Sequence, residues 1–62
     1  MKLYKIPKQS KIYTKCSDGS NHLMFHHIDG GYSYCVTEKG AVCHLSASQG
    51  LEEYKDGYKL IH

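Results

Sequence analysis

The chain has 62 residues, with eight lysines against six acids, no arginine, and a formal net charge of +2. Binding long duplex DNA draws on a large basic excess and on the bidentate guanidinium fork, and this composition supplies neither. No apolar run is long enough to span a membrane, and Met1-Lys2-Leu3-Tyr4-Lys5 followed by Pro7 does not read as a secretory signal.

One small domain over residues 1–62 is expected. A chain this short buries only roughly 60% of its unfolded surface. Disulfides, a metal or self-association commonly reinforce such domains. Three cysteines do not make a disulfide framework. The expectation is therefore a cytoplasmic protein with free thiols that forms a homo-oligomer.

In chain order, Leu3 to Ile6 reads as a short first strand ended by Pro7, which cannot donate to a ladder. Lys8-Gln9-Ser10 is a turn. Lys11 to Cys16 alternates, with Ile12, Thr14 and Cys16 on one face and Lys11, Tyr13 and Lys15 on the other. Ser17 to Asn21 is a loop by composition. Leu23 to Ala47 then reads as a three-stranded meander with turns at Asp29-Gly30-Gly31 and Glu38-Lys39-Gly40.

A two-residue turn in the first hairpin gathers Leu23, Phe25, Tyr32, Tyr34 and Val36 on one face. Met24, His26 and Ile28 then share the other. The third strand alternates: Ala41, Cys43, Leu45 and Ala47 inward, Val42, His44, Ser46 and Ser48 outward. A three-residue turn with Gly40 left-handed would instead set Val42 and His44 beside Tyr34 and Val36. The alternation is preferred here, and Phe25, Tyr34, Val36 and Leu45 are the expected core.

Beyond a single turn near Ser46 to Gln49, Leu51 to Tyr54 is a short acidic strand. Lys55-Asp56-Gly57 is a turn, and Tyr58 to Ile61 is the last strand. Five or six short strands point to an all-β fold, a small Src-homology-3-like barrel built on the meander, with the last strand returning beside the first.

Catalytic and metal signatures are absent. Cys16, His22, Cys35, Cys43 and His44 lack the spacing of zinc ligands. Alternation sends Cys43 and His44, and likewise His26 and His27, to opposite faces, so no metal or cofactor is expected. Cys35 with His44 and Asp29 could form a nucleophilic site, but a buried thiol in the core is preferred. Glu52-Glu53 reads as a solvated edge. No enzymatic activity is expected.

Charge is unevenly spread. Lys2, Lys5, Lys8, Lys11 and Lys15 give residues 1–15 a charge of +5, with no acid. The remainder, Lys39, Lys55 and Lys59 against Asp18, Asp29, Glu38, Glu52, Glu53 and Asp56, carries −3. Lys11-x-Tyr13-x-Lys15 places a ring between two ammonium groups, an arrangement suited to a base stacked near its phosphates. Read as a solvated edge, the same lysines only discourage pairing between molecules. His26 and His44 fall on an outward face with Met24, Ile28 and Val42, a half-apolar surface suited to contacts.

The patterns Ile6-Pro7-x-x-Ser10-Lys11-Ile12, Phe25-His26-His27-Ile28-Asp29-Gly30-Gly31-Tyr32-Ser33-Tyr34-Cys35 and Val42-Cys43-His44-Leu45-Ser46-Ala47 resemble small, uncharacterised barrel proteins of tailed bacteriophages. The resemblance implies a counter-defence role in a bacterial host, by sequestering a nucleotide signal or blocking a host protein. It assigns no site residues. The expected function is a non-enzymatic binding module for an anionic, nucleotide-type ligand, held by Lys11, Tyr13, Lys15, His26 and His44. The alternatives are an adaptor or inhibitor of a host protein, and a small nucleic-acid-binding barrel.

Overall fold

The computed structural model describes residues 1–61. Where side chains alternate and short turns reverse the chain, strands form: β1 (Lys11–Tyr13), β2 (His22–Asp29), β3 (Tyr32–Thr37), β4 (Val42–Cys43), β5 (Leu51–Tyr54) and β6 (Gly57–Leu60). They make one mixed sheet in the order β4-β3-β2-β1-β6-β5. Neighbours are antiparallel except β1 and β6, which run parallel with Ile12 opposite Tyr58 and Tyr13 opposite Lys59. The last strand returns beside β1, which is the second of the expected strands and not the first, and the β2–β3–β4 meander is present. The sheet is not closed into the expected barrel: β4 and β5 remain its two edges.

Leu3–Lys5 is a 3₁₀ turn rather than a strand. Leu3 and Ile6 are both buried. On a strand, residues three apart point to opposite faces, whereas a 3₁₀ turn eclipses them on one side. The turn is closed by the Lys5 N–H on the Lys2 carbonyl (3.0 Å) and the Ile6 N–H on the Leu3 carbonyl (3.2 Å). It lies against the chain between β4 and β5: the Leu3 N–H donates to the Gln49 carbonyl at 2.9 Å and the Tyr4 N–H to Ala47 at 3.1 Å. Leu3 and Ile6 thereby join Ile12, Leu23, Phe25, Cys35 and Leu51 in the core. Each fully buried aliphatic side chain there contributes about 1.5–3 kcal/mol.

The register of β2 against β3 departs from the expected one. The turn is Gly30-Gly31, with Asp29 opposite Tyr32, and His27 faces Tyr34 across the strands. The register then shifts between Phe25 and His27, so Phe25 pairs with Cys35 and Leu23 with Thr37. This is a β-bulge, one extra residue on β2 that changes which side of the strand faces the core. Ser33, Cys35 and Thr37 are buried in consequence, while Tyr34 and Val36 sit half-buried on the outer face. Of the expected core, Phe25 is 2% exposed and Leu45 packs partly against it, but Tyr34 and Val36 do not belong to it.

The inward hydroxyls of β3 are matched, whereas the buried Ser20 Oγ has no partner among the described residues. Ser33 Oγ donates to the Leu45 carbonyl at 3.0 Å. Thr37 Oγ1 donates to Asp18 Oδ2 at 2.7 Å and accepts from the Ala41 N–H at 3.0 Å. Hydrogen bonding removes most of the penalty for burying a hydroxyl.

The second turn of the meander has three residues, with Gly40 at φ +89° and the Thr37 N–H on the Ala41 carbonyl at 2.8 Å. Val42 is therefore opposite Val36, and Cys43 opposite Cys35. Alternation and turn chemistry agree on β4 once β3 has turned over. Past His44 the same pairing resumes, with Ser33 N–H on the Leu45 carbonyl at 2.7 Å and Ala47 N–H on Gly31 at 2.9 Å. The turn expected at Ser46 to Gln49 is closed by the Gln49 N–H on Ser46 at 3.0 Å. Among the described residues, no helix is long and apolar enough to cross a membrane.

Candidate functional site

The parallel pair β1 and β6 splays at its carboxyl ends. Beyond Tyr13 the chain stays with the β2 side, its Thr14 N–H donating to Asn21 at 3.1 Å. Beyond Lys59 it stays with the β5 side, with Leu60 opposite Leu51 and the Ile61 N–H on Gly50 at 3.0 Å. Between them lies an open groove of about 650 Å³. Tyr13, Thr14 and Lys15 line one wall, and Lys59, Leu60 and Ile61 the other, with Glu52 beside them. The size falls within the roughly 300–1,000 Å³ of small-molecule clefts.

Of the expected ligand set, Tyr13 and Lys15 share this groove. Lys15 is exposed and makes no ion pair among the described residues. Lys59 on the opposite wall is 3.4 Å from Glu52 and so partly neutralised.

Lys11 also faces outward, but it is engaged. Asp56, in the β5–β6 turn, takes the Tyr13 hydroxyl on one carboxylate oxygen and lies 3.3 Å from Lys11 Nζ with the other. The turn reaches β1 because Gly57 lets the backbones meet: a Cβ there would sit 2.3 Å from the Lys11 carbonyl oxygen. Donation from Tyr13, then from Lys11, holds the Asp56 carboxyl below its ordinary value. The hydrogen bond to Asp56 raises both the Tyr13 phenol and the Lys11 ammonium above theirs.

Tyr13 meets Tyr54 edge to face, with centroids 5.2 Å apart. Lys11 and Lys55 each lie 5.6 Å from the Tyr13 centroid, while Lys55 and Lys59 lie 5.2 and 5.0 Å from that of Tyr54. Ammonium groups at this range are attracted to the ring faces. The result is a rigid pair of rings with positive charge around it.

His26 and His44 lie elsewhere, around Tyr34 on the outer face of β2, β3 and β4. His27 stacks on Tyr34 with centroids 5.1 Å apart and planes at 13°. His26 and His44 approach the same ring edgewise, at 5.6 and 5.9 Å. The expectation that His26 and His27 point to opposite faces fails at the bulge: their Nδ1 atoms are 2.7 Å apart. A small hollow lined by Asp29, Tyr32 and His44 adjoins this cluster.

The three thiols are free. Burial pushes the Cys35 and Cys16 thiols up, away from the reactive thiolate. Cys35 is fully buried, whereas His44 is exposed with Nδ1 3.1 Å from the Ser33 carbonyl, so the two do not form the nucleophile–base pair. Among the described residues, no three His, Cys, Asp or Glu side chains gather around a common point.

The chain matches no family model, no curated protein and no solved structure.

Asp56, Tyr54, Lys55 and Lys59 were not among the residues singled out from sequence. They come from the hairpin at the far end of the chain, and only the parallel pairing of β1 with β6 delivers them to Tyr13. The acid-free stretch was visible, but the acid that answers it is distant in sequence.

Proposed function

We propose that this chain is a non-enzymatic binding module that holds one anionic, nucleotide-type ligand in the groove between β1 and β6. The observation that carries the reading is the exposed Lys15, without an ion pair among the described residues, lining the same groove as Tyr13. The ring offers a stacking face for a base, and Lys15 offers charge to a phosphate. Leu60 and Ile61 supply an apolar wall opposite. Lys11 is held by Asp56 and contributes long-range field rather than a direct contact. In keeping with the phage-protein resemblance, the role is sequestration of such a ligand inside a bacterial host cell. A ligand in so open a groove gains from a second copy closing over it, which favours a homo-oligomer.

The test is a calorimetric titration with ADP and, separately, with inorganic phosphate. ADP binding that weakens in Lys15→Gln and in Tyr13→Ala supports the reading. Loss of stacking should cost about 1–3 kcal/mol, and Lys15→Gln should flatten the salt dependence. Phosphate alone binding as well as ADP, or ADP failing to bind, overturns it.

A second reading rests on the exposed apolar side chains Met24, Ile28, Tyr32 and Val42 on β2, β3 and β4. These support docking on a host protein as an adaptor or inhibitor. In that case Val42→Asp abolishes partner binding while Lys15→Gln leaves it intact.

A further inference from the structure

Two consecutive residues of a regular strand cannot present their side chains to one side. At the β2 bulge they do. Phe25 pairs with Cys35 and His27 with Tyr34, which leaves His26 as the extra residue and puts both imidazoles on the outer face. Their Nδ1 atoms stand 2.7 Å apart, so one ring donates its Nδ1 proton to the lone pair of the other. The rings are nearly perpendicular, with planes at 77° and centroids 4.9 Å apart. The two Nδ1 atoms therefore stand side by side on the outer face, close to the bite distance of a single ion.

From this we infer that the bulge builds a two-imidazole chelate for a late first-row divalent metal ion, with His26 and His27 coordinating through Nδ1. Metal–nitrogen bonds of about 2.0–2.1 Å at tetrahedral or octahedral angles need nitrogens about 2.9–3.3 Å apart. A small outward rotation of two surface rings supplies the difference. On binding, the ion takes the place of the shared proton. The donor ring moves that proton to Nε2 by tautomerisation, so both neutral imidazoles coordinate through Nδ1 and carry N–H at Nε2.

Tyr34 preorganises the pair. It stacks on His27 and meets His26 edge to face, which limits the conformations that each ring must give up. Imidazole donors suit Zn²⁺, Ni²⁺ and Cu²⁺ and discriminate against Mg²⁺ and Ca²⁺, which prefer oxygen. With only two protein donors in place, solvent fills the remaining positions. His44 touches the same tyrosine but is committed through Nδ1 to the Ser33 carbonyl, and it stands outside the chelate.

The test uses untagged protein and Zn²⁺ alone. One equivalent per chain should bind saturably, and binding should be lost in His26→Gln and in His27→Gln. It should persist in His44→Gln and in the double variant Cys16→Ser with Cys43→Ser. On the unaltered protein, long-range proton–nitrogen spectra of the imidazoles should show coordination at Nδ1 of His26 and His27 only. That measurement does not depend on any variant folding. Zn²⁺ binding that survives both histidine substitutions, that disappears with the cysteines, or that reports Nε2 coordination overturns the assignment.

Discussion

At the β5–β6–β1 end of the outer face, Tyr13 and Tyr54 are surrounded by ammonium groups and tied to a carboxylate; at the β2–β3–β4 end, Tyr34 is surrounded by imidazoles. The first cluster follows from regular alternation, since Lys11 and Tyr13 share a face of β1 and Lys59 sits opposite Tyr13. The second exists because alternation is broken at His26. One end therefore carries fixed charge on a regular ladder. The other carries imidazole donors brought together by a single inserted residue. The proposed anion capture rests on the first end and the proposed chelate on the second.

The largest expected effect tests the bulge itself. Phe25→Ala removes a ring that is 2% exposed and should cost about 3–5 kcal/mol. Tyr34→Ala removes a half-buried ring on the opposite face and should cost clearly less. Urea melts of the two variants decide the matter. Equal losses would mean that the two rings share a core and that the register shift is wrong.

Next comes Gly57→Ala. The added methyl meets the Lys11 carbonyl oxygen 2.3 Å away, so β6 must move off β1. Overpacking of this kind costs about 1–3 kcal/mol. Gly31→Ala, which meets nothing within 4 Å, serves as the control. A Gly57→Ala melt matching the control would show that β6 does not approach β1 this closely and would overturn the lysine–tyrosine cluster as described.

A smaller effect is expected on titration. Asp56→Asn should lower the Tyr13 phenol toward the ordinary tyrosine value, bringing one late-ionising tyrosine earlier in the ultraviolet titration. The stabilising contribution of Asp56 is present above the ordinary carboxylate value of 3.8 and is lost as pH falls through its lowered folded value. Those of Tyr13 and Lys11 are present below 10.0 and 10.5 and are lost as pH rises through their raised values. Asp56 is exposed and Lys11 and Tyr13 are only half-buried, so the change in melting temperature at either extreme should be small. A tyrosine titration unchanged by Asp56→Asn would show that the hydroxyl does not donate to Asp56 in solution.

Much of the architecture was legible because most of the chain obeys local rules. The strand positions, the turns at Gly30-Gly31 and Gly40, and the inward set Cys43, Leu45 and Ala47 all follow from alternation and turn chemistry. Two features escaped for definite reasons. Leu3 and Ile6 read as strand residues because a stretch as short as Leu3-Tyr4-Lys5-Ile6 does not distinguish a strand from a 3₁₀ turn. Tyr34 and Val36 read as inward because they are larger and less polar, which by alternation leaves Ser33 and Thr37 outward. The bulge reverses all four, and the hydroxyls find Leu45 and Asp18 instead of water. Tyr13 and Lys15, grouped with Lys11 from the sequence, line one groove, but the partnership of Lys11 with Asp56 required a pairing between the two ends of the chain.

That pairing also sets an order of events in folding. The β2–β3 and β5–β6 hairpins close over two-residue turns and draw on near neighbours. The contact of Ile12 with Tyr58 joins segments separated by most of the sequence. Such long loops close late, after local contacts have formed. The groove between β1 and β6 is therefore complete only once the two ends of the chain have met. A ligand seated there should slow unfolding in stopped-flow measurements and leave the refolding rate nearly unchanged. The protein would hold its ligand as a latch: nothing binds until the chain has finished folding, and the bound molecule delays its first step apart.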